Sequence, residues 1–159
     1  MRFDGYTMRR AFLLLFTAFA VMPLFGAEIT RQSVIAEMNV RRAELGLQTL
    51  REDPRLDLAA DDRMRDMEDN SYWAHVSPDG REPFAWIRPR GYEYTYAGEN
   101  LASGFETVEV LLDGWMESKG HRENIVSPIY EDCGVAVIDG ATTGRAVGRS
   151  IVLLFGRTK

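Results

Sequence analysis

Trp115-Met116-Glu117-Ser118-Lys119-Gly120-His121-Arg122-Glu123-Asn124 is the stretch on which the reading of this chain turns. It carries one of only two histidines in 159 residues. Glu117 lies four residues before His121, a spacing that puts both on one face of a helix, provided the helix runs that far. Gly120 sits between them and is a poor helix former, so a stop there is the other outcome. Either way an acid, an imidazole and an indole are held within a few turns. The rest of the chain is expected to bring the second histidine, His75, and a second acid, Glu99, to the same place.

Outward from this stretch, Thr107 caps a helix that runs through Leu111 and Trp115, and residues 122–126 make one more turn before Pro128. Upstream, Ala97-Gly98-Glu99-Asn100-Leu101 sets a carboxylate among small and apolar residues, the pattern of a partly enclosed acid. His75 stands in Tyr72-Trp73-Ala74-His75-Val76, closed by a Ser77-Pro78-Asp79-Gly80 turn, at the edge of an element and not inside a helix. Asp53-Pro54 is a strong helix start and predicts a helix to Asp69, with Leu56, Ala59, Ala60, Arg63, Met64 and Met67 inward. Its acids Asp61, Asp62, Asp66, Glu68 and Asp69 read as a solvated face, because such charges repel unless ligands converge on a cation. Thr30 caps a first helix to Leu45, with Val34, Ile35, Met38 and Ala43 inward and Gly46 as its stop. Pro83 opens a short helix to Arg88. Two strand-like runs, 133–138 and 150–155, close the chain as a hairpin across residues 139–149. Helices first and a hairpin last make an α+β pattern, with helices packed on a small, mostly antiparallel sheet.

The first 27 residues read differently. Arg9-Arg10 precedes an uncharged run from Ala11 to Leu24, about the length of a signal-peptide apolar region and short of a membrane span. Residues 1–27 are read as a signal peptide and 28–159 as one domain, secreted or periplasmic. An uncleaved leader would be its one tie to the membrane. With three Arg and one Asp set aside, sixteen bases stand against twenty-three acids, a formal charge of −7. That balance argues against nucleic acid as a partner. Cys133 is the single cysteine. It lies in an apolar run and reads as a buried, inert thiol, so stability must come from packing.

Taken in order, His75 ahead of Ser77-Pro78-Asp79-Gly80-Arg81, Pro83-Phe84, Gly91-Tyr92, Ala97-Gly98-Glu99-Asn100, Trp115-Met116, Gly120-His121-Arg122-Glu123-Asn124-Ile125, Gly134-Val135 and Phe155-Gly156 resemble the bacterial branch of the CAP superfamily. That is the secreted domain shared with cysteine-rich secretory proteins, venom allergens and plant pathogenesis-related proteins. The resemblance covers residues 29–156. It implies an α–β–α sandwich with a cleft lined by two histidines and two acids that hold a divalent metal, often zinc. His75 matches the first histidine, Glu99 the first acid and His121 the second histidine. In animal and plant members the second acid falls three residues after the helix Trp, where Ser118 stands here. Glu117, one position early, is a substitute and not a match.

Three readings of the cleft follow. Two imidazoles and one or two carboxylates suit Zn2+ or another divalent metal, with a position left for water. The same groups suit a metal-free network, His75 on Glu99 and His121 on Glu117, that locks the sheet to the third helix. Built on the first is a zinc-dependent hydrolase with Glu99 or Glu117 as general base, although the chain has no His-Glu-x-x-His helix and no nucleophile elbow. Binding without chemistry is a separate class: a lipid, a sterol, or an envelope or host protein on a surface of Trp73, Trp86, Trp115 and Tyr92, Tyr94 and Tyr96, against which stands ordinary core packing of those rings. The reading preferred is a monomeric binding protein presenting the His75/Glu99/His121 cleft, without assigned catalysis.

Overall fold

The computed structural model describes residues 26–139 and 148–159. Apart from Gly26 and Ala27, the expected signal peptide lies outside the described residues, as does most of the connection between the last two strands.

Helix α1 (Arg31–Glu44) starts where Thr30 accepts the Ser33 N–H and the Ser33 hydroxyl meets the Thr30 N–H, a reciprocal cap. It stops at Gly46, whose φ of 71° is open to glycine at little cost. Val34 and Met38 are buried as expected. Ala43 is exposed, however, and Arg42 takes the inward place. The Arg42 guanidinium donates to the carbonyls of Gln48, Ile125 and Ser127, at 2.8, 2.6 and 2.9 Å. Those last two acceptors lie at the end of a later helix, so a buried cation meets carbonyls that helix leaves unpaired.

After a two-residue strand β1 (Arg51–Glu52), helix α2 (Pro54–Asp69) has the bounds the Asp53-Pro54 start predicts. All six residues assigned to its inner face are buried, and so is Asp57, which was not foreseen. Asp57 Oδ1 accepts the Val135 N–H at 2.9 Å. The expected helix from Pro83 is absent. Residues 83–87 form turns and Arg88–Arg90 a short 3-10 helix. Prolines 83 and 89 leave too few residues between them to nucleate an α-helix.

Strand β2 (Tyr94–Ser103) is followed by α3 (Val108–Glu117), α4 (Lys119–Ile125), β3 (Asp132–Ile138) and β4 (Ser150–Thr158). β1 and β2 were not anticipated. The sheet order is β1-β3-β4-β2, with β4 antiparallel to both neighbours and β1 parallel to β3. The expected closing hairpin is therefore the centre of a mixed sheet.

Two apolar layers sandwich that sheet. Cys133, Val135, Ile151, Leu153 and Phe155 face α1, α3 and α4, while Ala136, Val152 and Leu154 face α2. β4 is buried on both faces from Ser150 to Gly156, which is why it reads as an unbroken apolar run. This is the expected α–β–α sandwich. Cys133 is buried, and burial pushes its thiol up to about 12, so it is inert at neutral pH. Among the described residues, no helix is long and apolar enough to cross a membrane.

Candidate functional site

The site forms where the loop after α2, the middle of β2 and the start of α4 meet. Its floor is β2, whose outer edge has no partner strand among the described residues. Side chains cover that edge instead. Tyr130, Asn124 and Trp115 donate to the carbonyls of Ala97, Glu99 and Leu101 at 3.2, 3.1 and 3.2 Å. Alternate residues of a strand point to one edge, so these three bonds act in place of a neighbouring strand. Gly98 is required there: a Cβ would lie 2.6 Å from the Tyr130 hydroxyl and 2.9 Å from Asn124 Oδ1. Trp115 and Asn124, both in the stretch that opened the reading, thus brace the site.

Glu99 is buried at the middle of this strand. One oxygen meets His75 Nδ1 at 2.7 Å, and the other accepts from Arg63 Nε at 3.0 Å. A carboxylate offers acceptors only, so Nδ1 is the donor. His75 itself is about half exposed, with side-chain accessibility of 53%. Its ring is anchored at one nitrogen on the buried acid, and the other nitrogen lies on the far side of the ring. The bond to Glu99 raises the pKa of His75 above its ordinary 6.5, outweighing the opposing effect of burial.

His121 enters from the first half of α4, half-buried, with its ring tilted 6.4 Å from that of Trp115. Asn100 on β2 donates to the His121 carbonyl at 3.1 Å and accepts from Asn124, which ties α4 to the strand beside Glu99. Burial, and then the charge of nearby His75, lower the His121 pKa. His75 is thus bonded to Glu99, and His121 lies near enough to feel the charge of His75, on a helix tied to the strand beside Glu99.

Glu117 is not brought in with them. The chain leaves α3 at Ser118, with ψ of 119°, and starts α4 at Lys119. Glu117 and His121 therefore belong to different helices, and the four-residue spacing argument does not hold. The break falls at Ser118, two residues ahead of the glycine stop considered from sequence. Glu117 is exposed and lines a cavity of about 350 Å3 with Met116, Lys119, Arg122, Glu123 and Val126. No bond between His121 and Glu117 forms, so only the His75–Glu99 half of the anticipated metal-free network exists. Both oxygens of Glu99 already accept a hydrogen bond, one from His75 and one from Arg63.

The donors that fit a metal are thus two imidazoles: the outer nitrogen of His75, and His121, whose burial favours the neutral form that ligates. Among the described residues, no group of three or more His, Cys, Asp or Glu gathers closely enough to hold an ion. Three of the acids of α2 are taken up by basic partners and a tyrosine: Asp61 by Arg31, Asp62 by Arg65 and Arg90, and Asp66 by Tyr72.

Sequence reasoning placed Arg63 on the inner face of α2 but assigned it no role. The signal was available: an Arg on an apolar stripe needs a buried acid, and Glu99 had already been read as enclosed. Most of the aromatic residues considered for a lipid surface lie in the core. Trp86, Tyr92 and Trp115 are buried, Trp73 and Tyr94 pack against the α2 layer, and only Tyr96 is largely exposed.

The model of the cysteine-rich secretory protein family matches residues 35–153. The uncharacterized protein YkwD of Bacillus subtilis is 35% identical over 111 residues, 70% of this chain and 43% of that protein. The uncharacterized membrane protein YlbC of the same organism is 28% identical over 108 residues, 68% of this chain and 31% of its own length. The chain thus spans less than half the length of these curated relatives. Among solved structures, an extracellular protein of Bacillus anthracis containing an SCP domain superposes with a TM-score of 0.70 at 26% identity, covering 80% of this chain and 40% of that one. An outer surface protein of Borrelia burgdorferi has the same TM-score at 23% identity, covering 85% of this chain and all of that one, and shares the fold.

Proposed function

The chain belongs to the cysteine-rich secretory protein family, and from that premise we propose that it is an exported binding protein whose His75–His121 cleft holds a divalent metal and presents it to a ligand or to an envelope or host partner. The observation that carries this reading is the 2.7 Å contact between His75 Nδ1 and buried Glu99. A carboxylate that grips one nitrogen of an imidazole fixes the ring and makes the other nitrogen a better donor, the usual support behind zinc-ligating histidines. His121 brings a second nitrogen, kept neutral by burial. In this reading Glu99 orients a ligand instead of being one, and Glu117 takes no part. Two nitrogen donors suit zinc, with the remaining positions left to water or an incoming group. A bound ion supplies a Lewis-acid centre that draws in an oxygen or nitrogen donor.

Export is supported by the charged start and apolar run within residues 1–27. It is supported also by likeness to the extracellular Bacillus anthracis protein. Titration calorimetry with Zn2+ on the wild type and on the His75→Ala/His121→Ala double variant tests the metal. Saturable uptake by the wild type, absent from the double variant, is expected. Equal uptake by both overturns the proposal.

A further inference from the structure

Arg63 lies in the middle of α2 and is fully buried. A guanidinium out of water persists only when its charge is paired and its N–H groups are met. Here they are met from two directions. Nε donates to Glu99 Oε2 at 3.0 Å. Nη2 donates to the carbonyls of Ala74 and His75, the latter at 2.8 Å. Nη1 donates to the Tyr72 hydroxyl, which in turn donates to Asp66. The Trp86 ring covers the guanidinium, its centroid 4.6 Å from Cζ. One planar, rigid fork therefore holds the carboxylate that grips the His75 ring and also the main chain from which that ring hangs.

We propose that Arg63 is the positioning residue of this cleft, and that it decides which His75 nitrogen is presented. By fixing Glu99 and the His75 backbone together, it keeps the proton on Nδ1, towards the acid, and leaves Nε2 bare towards the cleft. The proposal rests on the reading of His75 as a cleft ligand, but it makes its own claim about the protein without metal. Lysine preserves the charge yet cannot span the carboxylate and two carbonyls at once, because it is a point donor on a flexible stem. Arg63→Lys therefore removes the fork and keeps the cation.

Two-bond proton–nitrogen spectra of the imidazole rings, recorded on metal-free protein on the alkaline plateau where the ring signals no longer move with pH, read the tautomer directly. The wild type is expected to show Nδ1–H at His75. Arg63→Lys is expected to shift His75 towards Nε2–H, the form free imidazole favours, with His121 signals unmoved and zinc affinity about 10- to 100-fold weaker. Retention of Nδ1–H in folded Arg63→Lys overturns the proposal. Should that variant fail to fold, Arg63→Gln takes its place, since its shorter amide cannot reach the carboxylate and the two carbonyls together: a shift of His75 towards Nε2–H supports the role and retained Nδ1–H overturns it. A wild type with no zinc uptake, together with the tautomer shift in Arg63→Lys, upholds the role of Arg63 and removes only the metal reading.

Discussion

The two histidines are held in opposite ways. His75 is on an irregular loop and half exposed, yet its ring is bonded to an acid that is itself locked to a buried arginine. His121 is on a helix and half-buried, yet among the described residues its ring has no hydrogen-bond partner. What fixes it is its backbone, tied to Asn100, and the neighbouring indole. One imidazole is oriented by polar contacts and the other by packing. The pKa directions follow: a partner raises His75, while burial lowers His121. Exposure alone would have ranked the two the other way round for rigidity, so the supporting shell matters more than the depth of the ring.

The contrast can be broken from either side. The largest effect is expected from Arg63→Met, which leaves Glu99 buried without its cation and should cost about 3–5 kcal/mol in urea unfolding. Asn124→Ala strips bonds from Glu99 and Asn100 on the His121 side. It should cost about 1–3 kcal/mol while leaving the His75 tautomer as it is.

pH separates the two rings with opposite signs. The raised His75 pKa contributes stability that is full below 6.5 and is lost as pH climbs through the higher folded value. The lowered His121 pKa contributes stability that is full above 6.5 and is lost as pH falls through the lower folded value. Each effect should be under about 1 kcal/mol, since His75 is well exposed and solvent screens the pair. Buried Asp57, pushed up to about 6 mainly by burial, titrates in the same region. The comparison is therefore made between stability–pH curves of the wild type and of His75→Ala or His121→Ala. The first variant should flatten the loss above pH 6.5 and the second the loss below it. Smallest of all, Glu117→Gln should change stability by no more than about 0.5 kcal/mol and leave zinc uptake unaltered. A clear loss of uptake would return Glu117 to the site.

Legibility in the sequence tracked how local each determinant is. α1 and α2 were readable because their caps, Thr30 and Asp53-Pro54, lie within four residues of what they satisfy. β2 was not, because Gly98-Glu99-Asn100 has neither alternation nor β-branched residues. It is a strand only because β4 pairs with it and side chains from α3, α4 and the following loop cover its edge. Likewise His75, Glu99 and His121 were found through motif resemblance, whereas the part of Arg63 depends on a fold that joins α2 to β2. Glu117 was misplaced because four-residue spacing has meaning only within one helix, and Ser118 ends that helix.

The central claim is that His75, held by Glu99 and Arg63, and His121, held by packing, point their free nitrogens at one shared point. A crystal structure of the protein with Zn2+, read in anomalous difference density, tests it most directly. The account predicts one peak at about 2.0–2.1 Å from His75 Nε2 and from a His121 ring nitrogen, with Glu99 still on Nδ1. A peak bound by Glu99 itself, or saturating zinc with no peak between the two rings, would contradict it.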